Sequence, residues 1–307
     1  MSRRKSGRNV HGILLLDKRF GVSSNRALQE VKRLFNANKA GHTGSLDPLA
    51  TGLLPLCFGE GTKVSAMMLD DNKRYQVVVK LGVMTDTGDA EGKIIEQKPV
   101  PEFSIDELES CLQIFTGEID QVPPMYSALK HNGRKLYELA REGKTIERKA
   151  RRITIFELKL LHATPDSLKL DVLCSKGTYI RSLAEDIGHK LGCGGTVVEL
   201  RRTQAGQFNI ADALTIEQCQ KMDLDELMDC LLEVDKPLDA IPAIELSTIQ
   251  AALVKQGQQI NTEKTAAEPK QGMVRMYSDQ VFLGLGEMLL DGKLLPKKIF
   301  NLNSGVA

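Results

Sequence analysis

The stretch Gly41-His-Thr-Gly-Ser-Leu-Asp-Pro-Leu-Ala-Thr-Gly52 constrains this chain more than any other, because it breaks regular structure and fixes one carboxylate in the break. Gly41, Gly44 and Gly52 permit backbone conformations closed to other residues, and Pro48 fixes φ just after Asp47. The loop therefore holds Asp47 with little freedom beside His42, and an immobilised carboxylate can act on a substrate. The competing interpretation is a plain Asp-Pro turn with an Asx-type hydrogen bond, which on this loop alone is the commoner outcome.

Around the loop the pattern alternates short apolar strands with capped helices. His11 to Asp17 and Leu53 to Phe58 are strand-like runs, and Arg74 to Val83 alternates so that Tyr75, Val77, Val79 and Leu81 share a face. Ser23 to Phe35 is expected as a helix capped by Ser23 or Ser24, and Ser104 to Phe115 as one capped by Ser104. Ile153 to Leu161 and Leu168 to Cys174 are strands. A further helix starts at Gly177-Thr178, with Ile180, Leu183, Ile187 and Leu191 on one side and Tyr179 and Arg181 in its first turn. Leu231 to Ala243, with Pro237 and Pro242, has the look of a linker. Beyond it, hairpins turning near Ser278-Asp279 and Asp291-Gly292 suit a small β barrel. With 307 residues, 42% of them hydrophobic, the chain can bury a sizeable core.

Several chemistries are excluded. The six cysteines include no Cys-x-x-Cys pair and no zinc spacing, so structural zinc and a disulfide framework are not expected. Gly59-Glu-Gly61-Thr-Lys63 lacks phosphate-loop spacing, and the acidic run Thr85 to Glu91 fails the calcium-loop pattern and is expected as a plain loop. The apolar run after the basic N-terminus is too short for a signal peptide, and nothing later has the length of a membrane span; a reduced, cytoplasmic setting is the expectation.

A net charge of +1 hides strong segregation. From Lys130 to Arg152 nine Lys or Arg stand against three Glu, a local excess of six, and the compensating acid lies elsewhere, at Asp223, Asp225, Glu226, Asp229, Glu233 and Asp235. Such density suits phosphate neutralisation, although charge runs are more often solvated faces. Gln121 to Arg152 also packs poorly on paper, with Pro123-Pro124, Gly133 and Gly143 bracketing a narrow apolar stripe (Leu136, Leu139, Ala140). It is expected to leave the core as an excursion.

The loop string His42-Thr-Gly-Ser-Leu-Asp-Pro-Leu-Ala-Thr-Gly52 resembles the aspartate motif of the TruB family, the tRNA pseudouridine-55 synthases. Leu15-Leu-Asp-Lys18 with Gly21-Val-Ser-Ser24, Lys73-Arg-Tyr75, Gln121-Val-Pro-Pro-Met-Tyr-Ser-Ala-Leu-Lys130, Gly177-Thr-Tyr-Ile-Arg181 and Glu199-Leu-Arg-Arg-Thr203 match that family's other motifs in the same order. One departure is visible: Arg19 stands where the family usually has proline. The resemblance implies an α+β fold with a mixed, mainly antiparallel sheet over residues 1–240, a thumb insertion at about 121–152, and a small PUA-like RNA-binding β barrel over 241–307.

It also implies roles. Asp47 corresponds to the nucleophile, Arg181 to the arginine paired with it, and Tyr179 to a second active-site tyrosine, a proton acceptor or sugar contact. Tyr75 matches a residue that stacks on the target base, Leu200 an apolar pocket residue, His42 the histidine that enters the T loop as the uridine flips out, and Lys18 belongs to the first motif beside the substrate. Lys130, Arg134, Lys135, Arg141, Arg151 and Arg202 are the expected RNA contacts. From the residues alone, Tyr75 ending a core strand, His42 capping a turn and Arg181 as a surface helix arginine remain open. The implied partner is tRNA, gripped at the T loop and T stem and, through the barrel, on its acceptor side. No cofactor or metal is required, because the reaction is an isomerisation, and a monomer is expected. The rivals are a non-catalytic tRNA binder or folding aid, and an N-glycosidase or nuclease acting on RNA.

Overall fold

The computed structural model describes residues 7–262 and 271–302, so the basic residues 1–6 noted above lie outside the described part. Its strands are β1 (Gly12–Lys18), β2 (Ala40–His42), β3 (Thr51–Phe58), β4 (Lys73–Leu81), β5 (Val83–Thr85), β6 (Ile94–Gln97), β7 (Gly117–Gln121), β8 (Lys130–His131), β9 (Arg134–Lys135), β10 (Arg151–Thr164), β11 (Ser167–Cys174), β12 (Gly195–Ala205), β13 (Phe208–Asn209) and β14 (Leu214–Thr215), followed by a second group from residue 243. The central sheet runs β14-β1-β3-β12-β4-β11-β10-β7, with β2 beside β3 and β13 beside β12. It is mixed: β1 meets β14 and β12 meets β3 in parallel, and the other pairs are antiparallel.

Central position explains the sequence of β3. Seven of its eight residues are buried, which matches a near-continuous apolar run rather than alternation. Each large side chain there contributes about 1.5–3 kcal/mol by leaving water. Helix α1 (Ser24–Leu34) is capped by Ser23 and lays Ala27, Leu28 and Val31 on this sheet, where Phe35 meets Phe58 at 4.8 Å between ring centroids. A short helix α2 (Ser65–Leu69) follows β3, and α3 (Ile105–Ile114) carries the expected capping box at Ser104 and Glu107. Helix α5 (Ile180–Lys190) packs across β12. The excursion expected after Gln121 leaves and rejoins the sheet at one point, where Gln121 pairs with Arg151. It holds the β8-β9 hairpin and helix α4 (Leu136–Arg141), whose Leu136 and Leu139 are buried.

The second sheet runs β15-β17-β18-β19-β16, with β15 (Ala243–Glu245), β16 (Ile260–Asn261), β17 (Gly272–Ser278), β18 (Val281–Met288) and β19 (Lys293–Ile299). Both hairpins expected there form, the first turning through Asp279 and Gln280 at positive φ. The helix Thr248–Lys255, with its Ser247 and Gln250 capping box, was not expected. The supposed linker is corrected by packing. Leu232 exchanges backbone hydrogen bonds with Ile13, Val234 and Leu238 are buried, and these side chains join Leu53, Phe208, Phe282 and Phe300 in one apolar cluster that both sheets share. The Tyr277 hydroxyl donates to buried Asp235, and Lys63 donates to the Ile299 carbonyl at 2.7 Å. Prolines here shape a packed strap rather than a free tether.

Candidate active site

The Asp47 loop joins β2 to β3 and is pinned from inside. Leu46, Leu49 and Ala50 are buried, and the Leu46 N–H donates to Ser24 Oγ at 2.7 Å, which returns a hydrogen bond to the Leu46 carbonyl at 3.0 Å. The Ala50 N–H closes a turn on the Asp47 carbonyl. With the apolar residues around it anchored, the Asp47 side chain is left about half exposed.

Two buried cations hold the loop from below. Lys18, fully buried at the end of β1, donates to the carbonyls of Val22 (2.7 Å), Arg19 (3.1 Å) and Pro48 (3.4 Å). Burial depresses its ammonium to about 8 against the pull of Asp47. Arg202, 1% exposed, donates from Nε to the Leu53 carbonyl at 2.7 Å and from Nη2 to the Gly44 carbonyl at 3.1 Å. In this structure each satisfies carbonyls that a glycine-rich loop leaves unpaired. Gly52 lies opposite Arg202 in register, at φ +100, and a Cβ there would overlap the Arg202 backbone. Only glycine lets β3 and β12 approach so closely.

Arg181 comes from the first turn of α5 and is 5% exposed, not the surface arginine that the sequence left open. Its Nη2 lies 2.9 Å from Asp47 Oδ2 and donates to the Tyr126 carbonyl at 2.7 Å; its Nη1 donates to the Thr87 carbonyl at 2.7 Å and lies 3.6 Å from Asp89 Oδ2. One planar guanidinium thus spans two carboxylates and two carbonyls, a geometry an ammonium cannot reproduce. Asp89 and Thr87 escaped sequence reasoning, since the run Thr85 to Glu91 was expected as a plain loop, and Tyr126 was given no role of its own within the Gln121–Lys130 motif. Asp89 is 4% exposed and accepts from Thr87 Oγ1 at 2.6 Å and from the Glu91 N–H at 3.1 Å. A bridge from Asp89 to Val197 sets the loop against β12. Four residues beyond Arg181, Glu185 is pushed up to about 7, chiefly by burial and then by Asp186; a Cβ on Gly88 would sit 2.5 Å from its Oε1.

The aromatic candidates converge on the same side. Tyr75, half-buried on β4, lies in register with Arg202 and has its phenol pushed up by burial, partly offset by that guanidinium. Tyr179 is the residue before α5; its backbone is clamped by buried Gln121, which accepts from the Tyr179 N–H at 2.8 Å and donates to its carbonyl at 3.1 Å. Burial raises the Tyr179 phenol as well. Leu200 is buried on β12 opposite Val77. His42, on β2, is lowered by burial and then by Arg202, so the ring is neutral near pH 7. The site therefore offers a fixed carboxylate, an arginine that orients it, and two partly buried phenols. Among the described residues, no three His, Cys, Asp or Glu come together as a metal site, and no helix is long and apolar enough to cross a membrane.

Of the expected RNA contacts, Lys130, Arg134 and Arg151 are exposed at the root and hairpin of the excursion. Arg134 is paired with Glu142, which Lys144 also meets at 2.9 Å, while Lys135 and Arg141 flank the Tyr137 ring at 5.4 Å. They are spread along the excursion rather than gathered at Asp47.

Residues 32–180 match the family described as TruB family pseudouridylate synthase (N terminal domain), 181–239 the tRNA pseudouridylate synthase B C-terminal domain, and 242–300 the pseudouridine synthase II TruB C-terminal family. Curated relatives named tRNA pseudouridine synthase B include those of Chromohalobacter salexigens, 50% identical over 99% of both chains, and Nitrosococcus oceani, 47% identical over 99% of both. Among solved structures, the fold matches a chain of the archaeal box H/ACA sRNP Nop10-Cbf5 complex with a TM-score of 0.69 at 21% identity, covering 99% of this chain and 94% of that one.

Proposed function

The chain belongs to the TruB family of pseudouridylate synthases and isomerises uridine 55 of tRNA to pseudouridine, and we propose that Asp47 carries that reaction. The observation that supports this most is the 2.9 Å pairing of half-exposed Asp47 with buried Arg181, which orients one solvent-facing carboxylate.

Isomerisation breaks the bond from C1′ to N1, turns the uracil, joins C1′ to C5, and moves the C5 proton so that N1 ends protonated. Nothing is consumed. Asp47 is suited to meet the charge that develops at C1′, as nucleophile or by taking a proton from C2′. Tyr75 is placed to stack on the flipped base, Leu200 to close the pocket apolarly, and Tyr179 to receive a proton or touch the sugar. His42 would enter the T loop as a neutral ring. Flipping costs a few kcal/mol, which base stacking of about 1–3 kcal/mol per contact offsets.

An N-glycosidase would pair Asp47 with a second carboxyl acting as acid. Asp89 is close, yet it is buried on the far nitrogen of Arg181 and already accepts two hydrogen bonds, so it braces the arginine rather than facing substrate. Around this centre we assign residues 121–152 as a thumb that lies along the T arm, and 241–307 as a PUA-like domain for the acceptor side, in a monomer. The test is to incubate the protein with unmodified tRNA transcript, without metal or nucleotide, and map pseudouridine by base-specific modification and primer extension. One new stop in the T loop, lost in Asp47→Asn with RNA binding retained, is the expected result. Pseudouridine from the variant sinks the role of Asp47, binding without any stop points to a binder, and free uracil to the glycosidase.

A further inference from the structure

We propose that Phe20 is a substrate contact, an exposed aromatic platform on which an unpaired nucleotide of the RNA stacks beside the Asp47 loop. The inference rests on the activity assigned above. In a chain only 5% aromatic, Phe20 is 64% exposed two residues beyond buried Lys18. A single exposed phenylalanine is unremarkable in itself, but the backbone around this one is fixed on every side. The Gly21 N–H donates to the Pro48 carbonyl at 2.9 Å, one residue from Asp47. Lys18 Nζ donates to the carbonyls on both flanks, Arg19 and Val22.

Arg19, where proline is usual in the family, forms a two-pronged pair with Glu30 of α1, Nη1 to Oε2 at 2.8 Å and Nη2 to Oε1 at 3.2 Å, and Glu30 is held in turn by Arg26 at 3.2 Å. This ion pair supplies the rigidity that a ring would have given. The turn thus spends a buried ammonium, a bidentate arginine and a glycine at φ +78 to hold one apolar ring in water at the rim of the loop. An unstacked RNA base is the occupant that fits: it has an apolar face, and any base can provide one.

The chain contains no tryptophan, so Phe20→Trp introduces a lone fluorophore at the proposed contact. In an Asp47→Asn background it would be titrated with a T-arm hairpin RNA, with filter binding measured in parallel and Phe156→Trp, on exposed strand β10, as the comparison. Quenching that tracks binding at position 20 and is missing at 156 is expected. Binding without quenching at position 20 overturns the proposal. With Asp47 intact, Phe20→Ala and Phe20→Leu should each raise KM about five- to tenfold with kcat unchanged, the lower range of a lost stacking contact, while Phe20→Trp retains it; KM within twofold of wild type in both overturns it too. A wild-type protein that makes no pseudouridine on this RNA strikes the activity, whereas the fluorescence judges the stacking by itself.

Discussion

Around Asp47 the cations are buried and each answers several backbone carbonyls; along residues 128–150 they stand in water, and most have one carboxylate or an aromatic face as company. Lys18, Arg181 and Arg202 are all at most 5% exposed, and between them they tie together the segments after β1, before β3, after β5 and after β7. In the excursion, only Leu136 and Leu139 of the predicted stripe reach the interior. The difference separates two tasks. A centre that must hold a carboxylate within a fraction of an ångström uses desolvated, multiply bonded charge, whose loss costs about 3–5 kcal/mol. A surface that must follow a phosphate backbone uses solvated charge, worth about 0–1 kcal/mol to the fold and free to be spent on the ligand.

The sharpest way to break this comparison is Arg181→Lys. The charge survives, but one ammonium cannot serve Asp47, Asp89 and two carbonyls at once. We expect kcat in single-turnover assays to fall roughly a hundredfold, the scale of losing one preorganised polar group, with RNA affinity little changed. Equal activity would mean that charge alone suffices. Gly52→Ala should follow. Its methyl would overlap the Arg202 backbone at a φ of +100, so β3 and β12 must part or strain. A loss of about 2–4 kcal/mol in urea unfolding is expected, against about 1 kcal/mol for Gly143→Ala in the excursion, where the positive φ strains the backbone but no atom lies within 4 Å of the new methyl.

Much of the scaffold was legible before the structure, because caps and periodicity are local. Ser23 and Ser104 cap where expected, β4 alternates as read, and the two C-terminal hairpins turn at their polar dipeptides. What was illegible depends on contacts distant in sequence. Nothing in the sequence around Lys18 or Arg202 shows that either is buried, since a brace and a phosphate contact call for the same cation; the carbonyls of Pro48, Gly44 and Leu53 that hold them come from distant segments. Asp89 gains its place through a bridge to Val197, more than a hundred residues away. The strap at 231–243 was misjudged from its prolines because its burial depends on Ile13 and Phe282, which lie far off in the chain.

Along the pH axis the braced region should again stand apart. Glu185 titrates near 7 in the folded chain against 4.5 when unfolded, through burial and Asp186, with Asp89 adding and Arg181 and Arg148 opposing. The folded state therefore binds its proton more tightly. Its contribution to stability is complete below pH 4.5 and is lost as pH rises through 7. Glu185→Gln keeps the shape and removes the titration, so its melting temperature should match the wild type near pH 4.5 and exceed it at pH 8. A constant difference across that range would show that folding leaves the Glu185 titration unchanged.

The smallest effects belong to the excursion, and there the two regions can be compared within a single pair of variants. Lys130 has no ion-pair partner among the described residues, whereas Arg134 is matched with Glu142, itself lowered to about 2 by Arg134 and Lys144. Both side chains are exposed, so Lys130→Ala and Arg134→Ala should each change unfolding stability by less than about 0.5 kcal/mol. Their RNA binding should differ. Removing Lys130 deletes a cation whose counterions are released on binding, and the slope of log K against log salt should fall by about 1. Removing Arg134 also sets Glu142 free beside the RNA. That variant should lose more affinity at low salt, yet its slope should change by less than Lys130→Ala, because the arginine was already neutralised before the RNA arrived. Identical slopes would mean that the Arg134 pair opens on binding, and the excursion would then reorganise around its ligand in a way that the Asp47 centre, with its carbonyls already satisfied, has no need to.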